Sequence, residues 1–555
     1  MPDAAFAPYR LAPGALPEEV ARAAAALRAD PLVAPAQVPL PAALLNRALA
    51  AIATGHAAAT EEGCRAADGS PAGAAGAPRA CLVAPGHRDR IAAGIRAALE
   101  AGFAGICLDR PDSPLELGLL GAGFCGHCQR DFARRLEREY GDHFRPLDFP
   151  AVAREALAQA SGAIGFDQLP YGRDFWRGRV DALDAAVRAY TRSARDAARA
   201  AGRPFQVVAH FEALGPAQLR ATRHVDAAIF PGGIEPGATG IGRARLLRAA
   251  LGRRPCAAVP GRDAAAGTLV QLAAVAATCG VELSGLEPPG APGARVSALR
   301  GVARALAARG RAPAALTPVT ECALLYSAEA DLWSGGRHRL AVERAGEALA
   351  ALHVQAPVFL RAQDVPPKAA IVLADTAALS PQEAKEVLRR LEAGASVLAF
   401  GPPGGVDDGG RPLGTFLPAG KASGVRVGEG LLAELPPLAP EPGTAARVQA
   451  GQLERALTAL LGKGRRAAGV VGRNRILAVL HRDESGVEVH LVALDGERAQ
   501  GTTLFLGVHV TGTARKARFQ GADGTDVRIT MNPSGYSIST VLPAFEGYAV
   551  LSLPG

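Results

Sequence analysis

Short apolar runs alternate with amphipathic helical stretches through the first ~310 residues, and this alternation restricts the fold more than any other feature. The run Ala80–Val83 precedes a helical stretch, His87–Ala101, with Ile91, Ile95 and Leu99 four apart. Ala104–Leu108 is a second apolar run and ends in Asp109. Phe132, Leu136 and Tyr140 again recur every fourth residue, and Gly141 stops that helix. Phe175, Val180, Leu183, Val187 and Tyr190 carry a longer helix over 173–201. Phe205–Phe211, Val225–Phe230, Pro255–Val259 and Val281–Leu286 read as strands, as does Ala50–Ala59, with a first strand in either Phe6–Leu11 or Val33–Leu40. Repeated βα units imply a parallel sheet, and about eight of them close most simply into a (β/α)8 TIM barrel. A doubly wound open sheet is the alternative.

The pattern changes twice further on. Glu287–Gly293 and Arg311–Pro318, rich in Pro and Ala, bracket a helix at Val296–Arg309. Glu321–Tyr326, Lys368–Ala374 and Ser396–Phe400 then alternate as strands with helices at His338–Leu352 and Pro381–Ala393, and Gln452–Leu461 adds a closing helix. That is flavodoxin-like in outline. Beyond it, Ile476–Leu480, Val487–Leu494, Thr503–Val510, Ala517–Gln520, Val527–Met531, Tyr536–Val541 and Tyr548–Leu553 are β-type runs with hairpin turns at 483–486 and 521–524. The expected order is a barrel over 1–312, a flavodoxin-like α/β domain over 313–465 and an antiparallel β-sandwich over 466–555. The length of 555 residues requires such a division.

Charge narrows the partners. A net +8 is small for this length, and no run of basic residues with interleaved aromatics stands out, so nucleic acid is not expected. The start of the chain lacks a basic n-region and an apolar h-region, and no stretch reaches about 18 uncharged apolar residues, so a cytoplasmic protein without membrane spans is expected. Eight scattered cysteines suit reduced thiols, with only Cys125 and Cys128 suggestively spaced. Lysine is absent before Lys368, which removes Schiff-base and lysine general-base chemistry from the barrel.

The stretch Gly123-Phe-Cys-Gly-His-Cys through Tyr140-Gly141 resembles the segment after the fourth barrel strand of family 42 beta-galactosidases and related glycosidases, and Cys81 falls about where those enzymes place a further cysteine. Glu321–Gly401 looks like their trimerisation domain, and the C-terminal strands look like their β-sandwich. The resemblance implies a glycoside hydrolase acting on a carbohydrate, a homotrimer, no required cofactor, and a structural zinc on Cys81, Cys125 and Cys128. The family's remaining cysteine corresponds to Gly123, so His127, Cys107 or water would complete that site. Two departures stand out. Asp109-Arg110-Pro111 replaces the family's Asp-Asn-Glu, which carries the acid/base, and Pro260-Gly261-Arg262 follows the strand where the family's nucleophile belongs.

Glycoside hydrolysis needs two carboxyls facing one sugar, and in a barrel they sit at the C-terminal ends of strands. Asp109 and Glu212 meet that condition, with Glu282 third. His210, Phe211, Trp176 and Trp333, the last in the loop after the first strand of the middle domain, are candidates for the sugar-facing surface together with Tyr171 and Arg110. The expected function is two-carboxylate glycoside hydrolysis at the barrel mouth. The alternative is an inactive carbohydrate-binding or scaffolding relative, because Arg110-Pro111 displaces the Asn-Glu.

Overall fold

The computed structural model describes residues 33–35 and most of 49–554; the longest undescribed stretches in that range are 160–167, 232–238, 260–265 and 284–316. The chain is mixed α/β with several sheets and divides into two compact units, Met1–Pro231 and Gly232–Gly555.

In the first unit β1 (Val33–Pro35), β2 (Leu49–Ala53), β3 (Gly105–Asp109), β4 (Gln206–His210) and β5 (Ala227–Pro231) lie side by side in chain order. From β2 to β5 every pairing is parallel, and β3 sets Asp109 beside Ala53 on one side and His210 on the other. Both central strands are buried along nearly their whole length, as continuous apolar runs in parallel sheets are. The first strand departs from the barrel expectation, because Val33–Pro35 pairs antiparallel with β2. Of the alternatives for that strand, Phe6–Leu11 lies outside the described residues.

The helices α1 (Pro85–Glu100), α2 (Gly126–Tyr140), α3 (Phe149–Gln159) and α4 (Gly172–Ala200) belong to the same unit. α1 packs against α4, burying Ile91, Ile95 and Leu99 on one face. Phe124, Phe132, Phe149 and Phe175 interlock α2, α3 and α4, with centroids 4.7–5.7 Å apart. Each buried ring contributes roughly 1.5–3 kcal/mol of transfer free energy. The expected strand at Ala80–Val83 does not form. Ala80 makes only an isolated bridge to Gly63, and the segment instead carries Cys81 inward.

The second unit contains α5 (Thr239–Leu251), β6 (Cys256–Val259), α6 (Ala266–Thr278) and β7 (Glu282–Leu283), the last parallel to β6. Next come β8 (Thr317–Pro318), β9 (Cys322–Leu325), α7 (Ala328–Trp333), α8 (Arg337–Ala351), β10 (Val358–Phe359), β11 (Ala370–Ala374), α9 (Pro381–Glu392), β12 (Ser396–Phe400), β13 (Val425–Val427) and β14 (Gly430–Leu435). Their sheet runs β10-β9-β11-β12-β14-β13. The five parallel strands thus take the order 2-1-3-4-5 of flavodoxin-like sheets, with β13 an antiparallel edge. A capping box at Ser380 and Glu383 starts α9.

After α10 (Thr444–Leu461) and β15 (Ala468–Val471) the remaining strands are β16 (Ile476–Asp483), β17 (Gly486–Ala493), β18 (Thr503–Gly507), β19 (Lys516–Gly521), β20 (Asp526–Thr530), β21 (Asn532–Ser534), β22 (Ser537–Val541) and β23 (Tyr548–Pro554). They form two sheets, β8-β16-β17-β23-β19-β20 and β15-β18-β22-β21, whose inner faces share one core containing Leu480, Val489, Leu504, Phe519, Ile538 and Leu551. Thr503–Val510 is not wholly strand, because Val508–Thr511 turns into a short helix. The helix at 296–309 and the expected boundaries at 312 and 465 lie outside the described residues.

Candidate active site

The C-terminal ends of β2, β3 and β4 bring together residues that are distant in sequence. Asp109 is the last residue of β3 and His210 the last of β4, and parallel register makes their side chains neighbours. His210 Nδ1 lies 2.9 Å from Asp109 Oδ1. Beyond Asp109 the backbone turns sharply, with Arg110 at φ 50°. For a non-glycine residue that conformation costs roughly 1–2 kcal/mol. Four bonds around it hold the turn: Arg110 N–H to His210 O (2.7 Å), Ser113 N–H to Arg110 O (3.1 Å), and Thr54 Oγ1–H (2.8 Å) and Gly55 N–H (3.1 Å) to Asp109 O. Gly55 has to be glycine here, since a Cβ would run into Arg110 O and Ser113 Oγ.

Glu212 follows β4 and is held by three side chains. Ser113 Oγ–H donates to its Oε2 at 2.6 Å, Arg79 Nη2 to its Oε1 at 3.2 Å, and Arg110 Nη1 lies 3.8 Å from Oε1. Arg110 Nε lies 3.6 Å from Asp109 Oδ2. One planar guanidinium therefore spans both carboxylates, whose facing oxygens lie no more than about 10 Å apart. Both acids keep about a quarter of their side chains exposed, 22% for Asp109 and 26% for Glu212.

Beneath this layer sits Asp112, fully buried. Its carboxylate accepts the N–H groups of Glu212 (3.0 Å) and Ala213 (3.3 Å) and the Nε2–H of Gln218 (2.9 Å). Burial pushes its pKa up to about 6 against those hydrogen bonds.

Of the candidates, Asp109, Glu212, Arg110 and His210 come together. Phe211 does not present a ring for stacking: it is fully buried and stacked on Phe230, centroids 5.3 Å apart, because it points to the core between two site residues. His210 is 5% exposed, so its contact is with Asp109 rather than with a broad ligand face. Trp176 lies in α4 with the Arg179 guanidinium 5.2 Å from its ring, a packing arrangement. Tyr171 caps the start of α4 against Tyr140 and Phe144. Trp333 ends helix α7, against Ala330, rather than lying in a loop. Glu282 pairs with Ala257 through the backbone of β7, and its side chain lies outside the described residues. Arg79, Ser113 and Asp112 were not legible as site residues. They come from a loop and a turn, and only their nearness to strand ends marks them.

A second constellation lies in the same unit. The sulfurs of Cys64, Cys81, Cys125 and Cys128 all lie within 4.8 Å of one another. Cys81 Sγ is 3.4 Å from both Cys125 Sγ and Cys128 Sγ. Four thiols at this spacing match the tetrahedral all-sulfur set that zinc takes. Hydrogen bonds from the other three thiols pull Cys125 far below the ordinary thiol range, while Cys81 and Cys128 are pushed up. The fourth member is Cys64. His127 instead faces Arg130, and Cys107 is buried within β3.

No protein-family model and no curated protein sequence matches the chain. Solved glycosidase structures do share its fold. A beta-galactosidase from Bacillus circulans sp. alkalophilus superposes with a TM-score of 0.63 at 11% identity, over 90% of this chain and 88% of that one. A GH42 beta-galactosidase from G. stearothermophilus gives 0.59 at 12%, over 89% and 85%. An alpha-L-fucosidase from Paenibacillus thiaminolyticus gives 0.59 at 14%, over 91% and 86%. The chain therefore has the fold of the GH42 beta-galactosidases and related glycoside hydrolases.

Proposed function

We propose that the protein is a glycoside hydrolase whose acid pair is Asp109 and Glu212, at the C-terminal mouth of a TIM barrel. The observation that carries this is the Arg110 guanidinium, within 4 Å of both carboxylates where two parallel strands end. Glu212, held by Arg79, Arg110 and Ser113, serves as nucleophile or base. Asp109, hydrogen-bonded to His210, is the proton donor. Their separation accommodates the carboxyl spacing of either a retaining enzyme, about 5–5.5 Å, or an inverting one, about 6.5–9.5 Å. The related beta-galactosidases and fucosidase support a carbohydrate substrate, and the resemblance of the middle domain supports a homotrimer. The four-cysteine cluster fits a structural zinc, held by Cys64, Cys81, Cys125 and Cys128, that would fix loops and take no part in the reaction. Eight cysteines, none in a disulfide, suit a reducing, cytoplasmic setting.

The test is turnover of a panel of chromogenic glycosides. Glu212→Gln and Asp109→Asn should each lower kcat by roughly 10²–10⁴-fold. Glycan binding with no turnover on any glycoside would overturn the assignment, as would full activity in both variants.

A further inference from the structure

The second unit holds a cavity of about 600 Å³ unconnected with the chemistry above. That volume is within the range of small-molecule sites. Its walls are mostly apolar, with Pro318, Pro357, Phe359 and Val510 among them. One face of α5 contributes Arg245, Arg248 and Ala249, which recur at helical spacing along the lining. α5 is fixed in place by Gly242, which meets the backbone of α8 at Glu343 with no room for a Cβ.

Arg245 is the unusual group. It is only 7% exposed, and its Nη1 has no hydrogen-bond partner among the described residues. A buried guanidinium donor left unmet costs about 1–3 kcal/mol. The acid lining the same cavity, Glu321, is already committed. Its two oxygens accept the N–H groups of Gln355 and Ala467, each at 2.7 Å, and burial pushes its pKa up while those bonds and the charges of Arg466 and Arg245 oppose the shift. Arg482 also lines the cavity but donates to Val510 O. The cavity therefore offers an apolar volume with an unmet guanidinium donor, Arg245 Nη1, in its wall.

We propose that this cavity binds a small organic monoanion, a carboxylate on an apolar body, with Arg245 as its anchor. A carboxylate matches the planar fork of the guanidinium, and the apolar walls take the body. The reading is independent of the glycosidase assignment.

Isothermal titration of the full chain with octanoate and with octan-1-ol tests it. Octanoate should saturate at one per chain and bind at least tenfold tighter than octan-1-ol. Arg245→Met should weaken octanoate at least tenfold and leave the alcohol unchanged. Ala249→Trp should abolish both by filling the cavity, and it carries the test should Arg245→Met not fold. Glu212→Gln should bind octanoate as the wild type does. Equal binding of acid and alcohol, no saturable heat, or undiminished octanoate binding by Arg245→Met would overturn the proposal. So would loss of octanoate binding in Glu212→Gln.

Discussion

Asp112 never reaches solvent, yet three N–H groups converge on its carboxyl and two of them belong to the loop that carries Glu212. Its folded pKa of about 6 lies above the ordinary value of 3.8. A raised carboxyl favours the folded state when protonated, so its contribution is fully present below about pH 4 and is lost as pH rises through 6. The difference is about 3 kcal/mol. Asparagine cannot titrate, and its amide N–H2 would face a donor, costing about 1–3 kcal/mol. The stability difference, wild type minus Asp112→Asn, should therefore shrink as pH rises from 4 to 7 in urea titrations, and a level difference would refute this account. The same variant should lower kcat, because one of the two oxygens that accept the backbone N–H of Glu212 becomes a donor. Gly55→Ala acts one layer up. Its methyl group must displace Arg110 O, so a loss of roughly 1–3 kcal/mol is expected from overpacking, read as a lower melting temperature, with activity lost alongside it.

Helices and strands with a clean period were legible in the sequence. Ser396–Phe400 forms as read, and α1, α8 and α9 shift by a residue or two at their ends. What escaped was set by contacts between segments with no period of their own. Thr503–Val510 is largely apolar, yet its last residues leave the sheet at Gly507, where the chain turns into a single helical turn. Ala80–Val83 has strand composition, but the bonds Cys64 N–H to Arg79 O and Cys81 N–H to Glu62 O tie it to the 62–64 loop instead. That tie places Cys64, 17 residues upstream of Cys81 in the sequence, beside a pair spaced as Cys-x-x-Cys. Only the Cys-x-x-Cys half was a recognisable pattern; the other half depends on how two loops meet. Zinc should therefore copurify at one per chain by elemental analysis. Cys64→Ser should remove most of it and lower the melting temperature, since metal-binding free energy is folding free energy. His127→Ala should retain the metal. Full zinc content in Cys64→Ser would refute the four-thiol set.

Over the whole molecule, three histidines held in the neutral form lose stability to acid. His87 in the first unit and His338 in the second are fully buried, His353 is half-buried, and all three sit at about 4, each lowered chiefly by loss of solvent. His338 shows why. Its Nε2 accepts the N–H of Ser327 at 3.0 Å, while Nδ1 faces Ala374 O at 2.9 Å, so the ring is held as the Nδ1–H tautomer and a second proton would break the Ser327 bond. A histidine whose folded pKa is lowered contributes stability that is complete above about pH 6.5 and is lost as pH falls through 4. Each such ring forfeits about 3 kcal/mol by pH 4. Asp112, Glu321, Asp331 and Glu383, carboxyls raised by burial, work in the opposite direction. Because domains are stable by only about 5–15 kcal/mol, the loss at three rings is a large share of the total. The urea midpoint should fall steadily from pH 6.5 to 4.5. His338→Gln should be less stable at pH 7.5 but show a shallower fall, because one of the titrating rings is gone. A midpoint that stays level or rises on acidification would show that these rings are not buried neutral, and an unchanged slope in His338→Gln would remove that residue from the account.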